Sequence, residues 1–164
     1  LEDLPCTTVA AIGGPCVGGG CELVLACDYR IAADLPGTSI GLPETKLGIL
    51  PGFGGTYRLP RVVGLPKALD VILAGKTLRA KQALKAGLVD QVTSSDNLYQ
   101  LAQDLALGIK EAPKRKHALM DRFLSGNPLG RALVRRGARK AVLAQTKGFY
   151  PAPLKALEIG RAHV

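Results

Sequence analysis

Apolar positions along this chain fall into short β-type runs and helix-spaced stripes, separated by glycine and proline. "TTVAAIGG" (residues 7–14) is a β-branched and apolar run closed by glycines, the pattern of a buried strand. The glycine triplet at 18–20 then opens a helix over 20–27, and "DYRIAA" predicts the next strand. "TSIGLPE" predicts a third strand, short and interrupted by Pro43. "TKLGILPGFGGTYRLPRVVG" is punctuated by glycine and proline, with a helix starting near Gly54. "PKALDVILAG" carries Pro66 in a first turn and Gly75 as terminator; "RAKQALKAG" ends the same way at Gly87. "LVDQV" is a short strand. In "SSDNLYQLAQDLALGIK" a Ser/Asp start precedes Leu98, Leu101, Leu105 and Ile109 on one helical face. Residues 113–128 read as a linker, followed by the basic helix "LGRALVRRGARKAVLAQTKG". Strand–turn–helix alternation predicts an α/β fold whose parallel sheet forms through crossovers, with helices dominant towards the C-terminus. The 164 residues fit one domain, or most of one.

Composition adjusts this picture in three places. Aromatics are scarce at 4 %, whereas Gly (20) and Pro (11) are plentiful, which favours tight turns and close backbone approaches over a wide aromatic groove. The net charge of +9 is localised: residues 1–109 hold nine Lys/Arg against ten Asp/Glu, while residues 110–140 hold ten against two. That basic third lacks interleaved aromatics for stacking bases, so a solvated linker and helix face is favoured over nucleic-acid binding. Cys6, Cys16, Cys21 and Cys27 sit in apolar sequence, far from His117 and His163 and without C-x-x-C spacing. They are expected to be small buried hydrophobes in a reducing compartment rather than metal ligands. No apolar run reaches the roughly 18 residues a membrane span needs.

The candidate chemistry lies in "PCVGGGCELVLAC". Strand, glycines and helix in that order suggest a phosphate site, but no Lys completes a P-loop. The G-x-G-x-x-G pattern fails at Leu23, and Glu22 would repel a pyrophosphate. What remains is a helix start with exposed amides, suited to an oxygen gaining negative charge, and an acid one turn in. Glu22 is either an ordinary first-turn acid or a proton-exchanging group in apolar surroundings. "IGLPETKLGILPGFGG" supplies a second acid, Glu44, also among apolar residues and glycines. Two such carboxylates suit addition or elimination of water; the alternative for Glu44 is a surface ion pair with Lys46.

Three segments, "AAIGGPCVGGGCELVLACDYRIAA", "IGLPETKLGILPGFGGTYRLPRVVG" and "ILAGKTLRAKQALKAGLVDQV", resemble the enoyl-CoA hydratase/isomerase (crotonase) family, continuously from about Pro5 to Val92. The later "NPLGRALVRRGARKAVLAQTKGFYPAP" resembles the linker after the hydratase domain in multifunctional β-oxidation members of that family. The resemblance implies a crotonase-like ββα-superhelix core, truncated at its N-terminus and followed by C-terminal helices. Residues 1–112 would be a partial hydratase/isomerase domain and 113–157 a basic linker and helix leading to a 3-hydroxyacyl-CoA dehydrogenase domain. The closing "EIGRAHV" (158–164) departs from the family and back-translates to a common sequencing-adapter read, so it is expected to be a non-native tail.

Function follows by the same resemblance: hydration of 2-trans-enoyl-CoA to 3-hydroxyacyl-CoA in fatty-acid β-oxidation, with Δ3,Δ2-enoyl-CoA isomerisation as a companion reaction. Glu22 would hold and activate water, Glu44 would protonate the α-carbon, and the Gly19 amide would be one of two oxyanion donors. Gly18, Gly20, Pro43 and the loop Pro51, Gly52, Phe53 and Gly54 would line the substrate. The second oxyanion donor belongs to family sequence preceding Leu1, and losing one donor costs about two to three powers of ten; this piece alone is therefore expected to be weak or inactive. No metal or redox cofactor is implied here; NAD would serve only the dehydrogenase domain, and coenzyme A is part of the substrate. Implied partners are a thiolase subunit and further copies of the chain, with no nucleic acid and no integral membrane segment. The implied setting is bacterial cytoplasm, with a mitochondrion or peroxisome as the alternative. The competing readings are a stand-alone acyl-CoA isomerase and an RNA-binding member of the same family.

Overall fold

Val9, Ala11 and their neighbours do form a strand, β1 (Val9–Ile12), and it pairs in parallel with β3 (Tyr29–Ala33). The computed structural model describes residues 1–113, 127–149 and 151–162. β6 (Gln91–Thr93) joins the other side of β3, also in parallel, giving the sheet order β1-β3-β6. A second sheet has the order β2-β4-β5, from Pro15–Val17, Ser39–Gly41 and Thr77–Arg79. Its β2–β4 pair is parallel and its β4–β5 pair antiparallel. The sequence did not mark β2 or β5. Each is three residues long, too short for an alternating pattern to stand out, and Pro15 sits at the start of its strand, where a missing N–H is tolerated.

The helices are α1 (Gly19–Leu25), α2 (Gly55–Val63), α3 (Leu65–Leu73), α4 (Ala80–Ala86) and α5 (Leu98–Ala106), then α6 (Pro128–Thr146) and α7 (Pro151–Ala162). Helix α5 ends before Ile109, so Leu98, Leu101 and Leu105 are buried against β1 and β3 while Ile109 is exposed. The strand expected over 38–44 stops at Gly41. Beyond Pro43, which cannot donate to a ladder, the chain winds into a 3-10 turn at Glu44–Leu47. Most of the linker expected over 113–128 lies outside the described residues. Helix α7 had no sequence signal; it packs Leu157 onto Leu65 and Leu69 of α3, beside Val134 and Ala138 of α6. It also runs through residue 158, where the family-like sequence was expected to stop.

One core holds α1 in place. Cys21 and Leu25 of α1 are buried together with Ile40 of β4, Leu42 just after that strand, Leu59 of α2 and Ile72 of α3. The far end of α1 is closed by Arg30, whose guanidinium is fully buried. It donates to the carbonyls of Cys27 (2.7 Å), Val24 (3.3 Å) and Leu88 (3.0 Å), and pairs with Asp90 at 3.1 Å. Removing one partner of a buried pair strands the other charge. Asp90→Ala should therefore cost about 3–5 kcal/mol, read as a lower urea midpoint.

Among the described residues no helix is long and apolar enough to cross a membrane. The cysteines are all free thiols, and Cys16 and Cys21 are buried as expected. Cys6 is exposed, because residues 1–6 precede β1 and pack little surface against the core.

Candidate active site

Three backbone turns bring the two acids to one place. Helix α1 buries Cys21, Glu22 and Leu25, one side of a helix by their spacing, so Glu22 must point inward. It is 3 % exposed, and its amide donates to the carbonyl of Gly18 at 3.0 Å. Inside, Glu22 Oε1 accepts two backbone N–H groups, from Phe53 at 2.8 Å and Gly55 at 2.7 Å. Both are short charge-assisted bonds, and they tie α1 to the start of α2.

Glu44 opens the 3-10 turn and is 7 % exposed. Its two carboxyl oxygens are buried and have no hydrogen-bond partner among the described residues. Burial pushes the Glu44 carboxyl above the usual carboxylate range, against a smaller opposing pull from its own backbone amide, and the charge of Glu22 adds to the rise. The Lys46 ion pair is not made. That side chain instead runs past Gly75, where an added Cβ would lie 2.8 Å from Lys46 Cγ. The Cys21 thiol is pushed up to about 12, by burial first and then by Cys16, Glu44 and Glu22.

Gly18 joins the two halves. Its φ of 58° lies in the left-handed region, and an added Cβ would sit 3.5 Å from Glu44 Oε1. Its N–H donates to Gly41 of β4 at 3.0 Å, which fixes the glycine turn against the strand leading to Glu44. Beside Gly19 and Gly20 an added Cβ would meet no atom within 4 Å, so the first turn of α1 faces open space. In the loop, Pro51 is buried and Pro43 half-buried, while Gly52 and Phe53 are exposed.

The loop 51–55 has a role the sequence did not suggest: its amides hold Glu22. Gly55 is needed for space, since a Cβ there would lie 2.9 Å from Glu22 Oε1 and 2.9 Å from Leu42 Cδ1. Gly55→Ala should displace the carboxyl and lower turnover by about 100-fold with the fold retained, checked by kcat against a melting curve.

The model described as enoyl-CoA hydratase/isomerase matches residues 1–141. The chain belongs to the enoyl-CoA hydratase/isomerase family. It is 50% identical over 165 residues to the fatty acid oxidation complex subunit alpha of Shewanella loihica, a match that covers all of this chain and 23% of that protein. The corresponding subunit of Aliivibrio fischeri is 53% identical over 152 residues, covering 93% of this chain and 22% of that one. The chain thus spans about a quarter of the length of these curated relatives. Among solved structures, enoyl-CoA hydratase from Bacillus anthracis superposes with a TM-score of 0.61 at 36% identity, covering 87% of this chain and 56% of that one. Enoyl-CoA hydratase from Mycobacterium smegmatis gives 0.58 at 30% identity, covering 96% and 65%. The expected crotonase-like α/β fold with C-terminal helices is therefore the fold of this family member.

Proposed function

We propose that this chain carries the acid–base centre for hydration of 2-trans-enoyl-CoA to 3-hydroxyacyl-CoA in fatty-acid β-oxidation. The observation that carries this reading is the inequality of the two acids. Glu22 accepts two short N–H bonds on one oxygen, which fix its carboxyl group in place. Glu44 has none among the described residues, and burial favours its protonated form. One is equipped to take a proton while the other gives one.

In the step this implies, a water held by Glu22 forms a bond from its oxygen to the β-carbon, and its proton passes to Glu22. The π pair moves towards the α-carbon and the thioester oxygen, where the Gly19 amide stabilises developing charge. Glu44 delivers its proton to the α-carbon. H and OH have then been added across the double bond, and proton exchange with solvent restores both acids. The same pair can move a proton between the α- and γ-carbons, which is the Δ3,Δ2 isomerisation.

The resemblance to multifunctional members supports, as further parts of this proposal, a thiolase subunit and further copies of the chain as partners in a bacterial cytoplasm. It also supports NAD as the cofactor of a separate dehydrogenase domain and none for this one. Supplying the full-length protein with 2-enoyl and 3-enoyl thioesters side by side tests the reading. A 3-hydroxyacyl thioester formed from the 2-enoyl substrate is expected. Turnover of the 3-enoyl substrate alone would replace hydration by isomerisation, and turnover of neither would end the proposal.

A further inference from the structure

The two amides on Glu22 belong to a loop, and a loop holds an angle only where something pins it. Phe53 is pinned at both backbone polar groups. Its N–H donates to Glu22 Oε1 at 2.8 Å, and its carbonyl accepts Arg58 Nη1 at 2.8 Å. Arg58 reaches back because it lies one turn into α2, where its own N–H donates to the Gly54 carbonyl at 2.8 Å. Between them, Gly54 has φ 97°, and an added Cβ would collide with Arg58 Nη1. The guanidinium is itself gripped as a fork by Glu2, Nε to Oε1 at 2.9 Å and Nη2 to Oε2 at 2.8 Å. A bidentate pair of this kind fixes orientation as well as distance. The contact is local enough that the charge of Glu22 is felt at Arg58.

We propose that Arg58, held by Glu2, is a positioning residue for Glu22: it sets the Phe53–Gly55 backbone so that two amides meet Oε1. This rests on the acid–base reading of Glu22 given above. Arg58 touches no reacting atom in this scheme. Without it the Phe53 carbonyl is released, the loop can turn, and Glu22 loses the donors that fix its carboxylate beside the glycine turn. Substrate contacts along Gly19 and Gly20 are unaffected, so the loss falls mainly on the chemical step, with a smaller effect on binding where the loop 51–54 would line the substrate.

The test is steady-state kinetics of the full-length protein on 2-trans-enoyl-CoA. Arg58→Ala should lower kcat by about 10- to 100-fold, with KM changed by a clearly smaller factor than kcat. Guanidinium ion at millimolar concentration should restore part of the loss, and sodium chloride at equal ionic strength should not. Glu2→Ala, at a half-exposed position that spares the core, should lower kcat by a smaller factor and add nothing in the Arg58→Ala background. Should Arg58→Ala not fold, Glu2→Ala and Arg58→Lys decide the matter: each is expected to reduce kcat, since lysine keeps the charge but not the fork. Parental kcat in these variants, or a loss indifferent to guanidinium and proportional to unfolded protein, would overturn the proposal. Glu22→Gln measured in parallel separates the two levels. If it is inactive while Arg58→Ala keeps the parental kcat, only the positioning role fails; if it is active, the acid–base reading fails first.

Discussion

With Glu44 replaced by glutamine, the full-length protein is expected to lose hydration by about two to four powers of ten while keeping its fold. Glutamine has the same shape but no proton to deliver to carbon. The pH dependence of stability gives an independent check. Burial raises the Glu44 carboxyl, so the folded protein holds its proton at pH values where the unfolded chain has already released it. That contribution to stability is complete below the ordinary glutamate range and is lost as pH rises through the raised value. A side-chain amide does not titrate, so the melting temperature of Glu44→Gln should depend less on pH across that window. At mildly alkaline pH it should equal or exceed the parent's. An inactive variant that also melts lower at every pH would instead make Glu44 a structural residue.

The two acids were legible in the sequence because each is a lone carboxylate in an apolar, glycine-rich run, where an unpaired charge needs a reason. The fate of Glu44 was not. Glu44 and Lys46 stand two positions apart, close enough in sequence for an ion pair. It took the 3-10 turn and the docking of Lys46 beside Gly75 to leave Glu44 bare. The partners of Glu22 were illegible for a different reason. They are backbone amides more than 30 residues downstream, and a backbone donor leaves no side-chain signature. Only the paired glycines at 54 and 55 hinted that something approaches closely there. Arg58 was hidden likewise, since its spacing fits an ordinary exposed helix face and its fork partner, Glu2, lies 56 residues away. Helix α3 was read correctly in place and α5 in all but its last turn, which stops short of Ile109, whereas β2 and β5 depend on pairing with β4, which a three-residue run cannot announce.

Glu22→Gln separates the chemistry of this centre from its scaffold. The amide oxygen of glutamine can occupy the position of Oε1 and accept the same two N–H bonds from Phe53 and Gly55, so the loop and α1 should stay where they are. The second oxygen becomes an NH2 group, which can hold a water but cannot take its proton. Hydration should therefore fall by about three powers of ten or more, with KM and melting temperature near those of the parent. Gly55→Ala makes the opposite change, keeping the carboxylate but moving it, and should cost less. A Glu22→Gln protein that turns over within about tenfold of the parent would mean that some other group accepts the water proton, and the acid pair would lose its assigned division of labour.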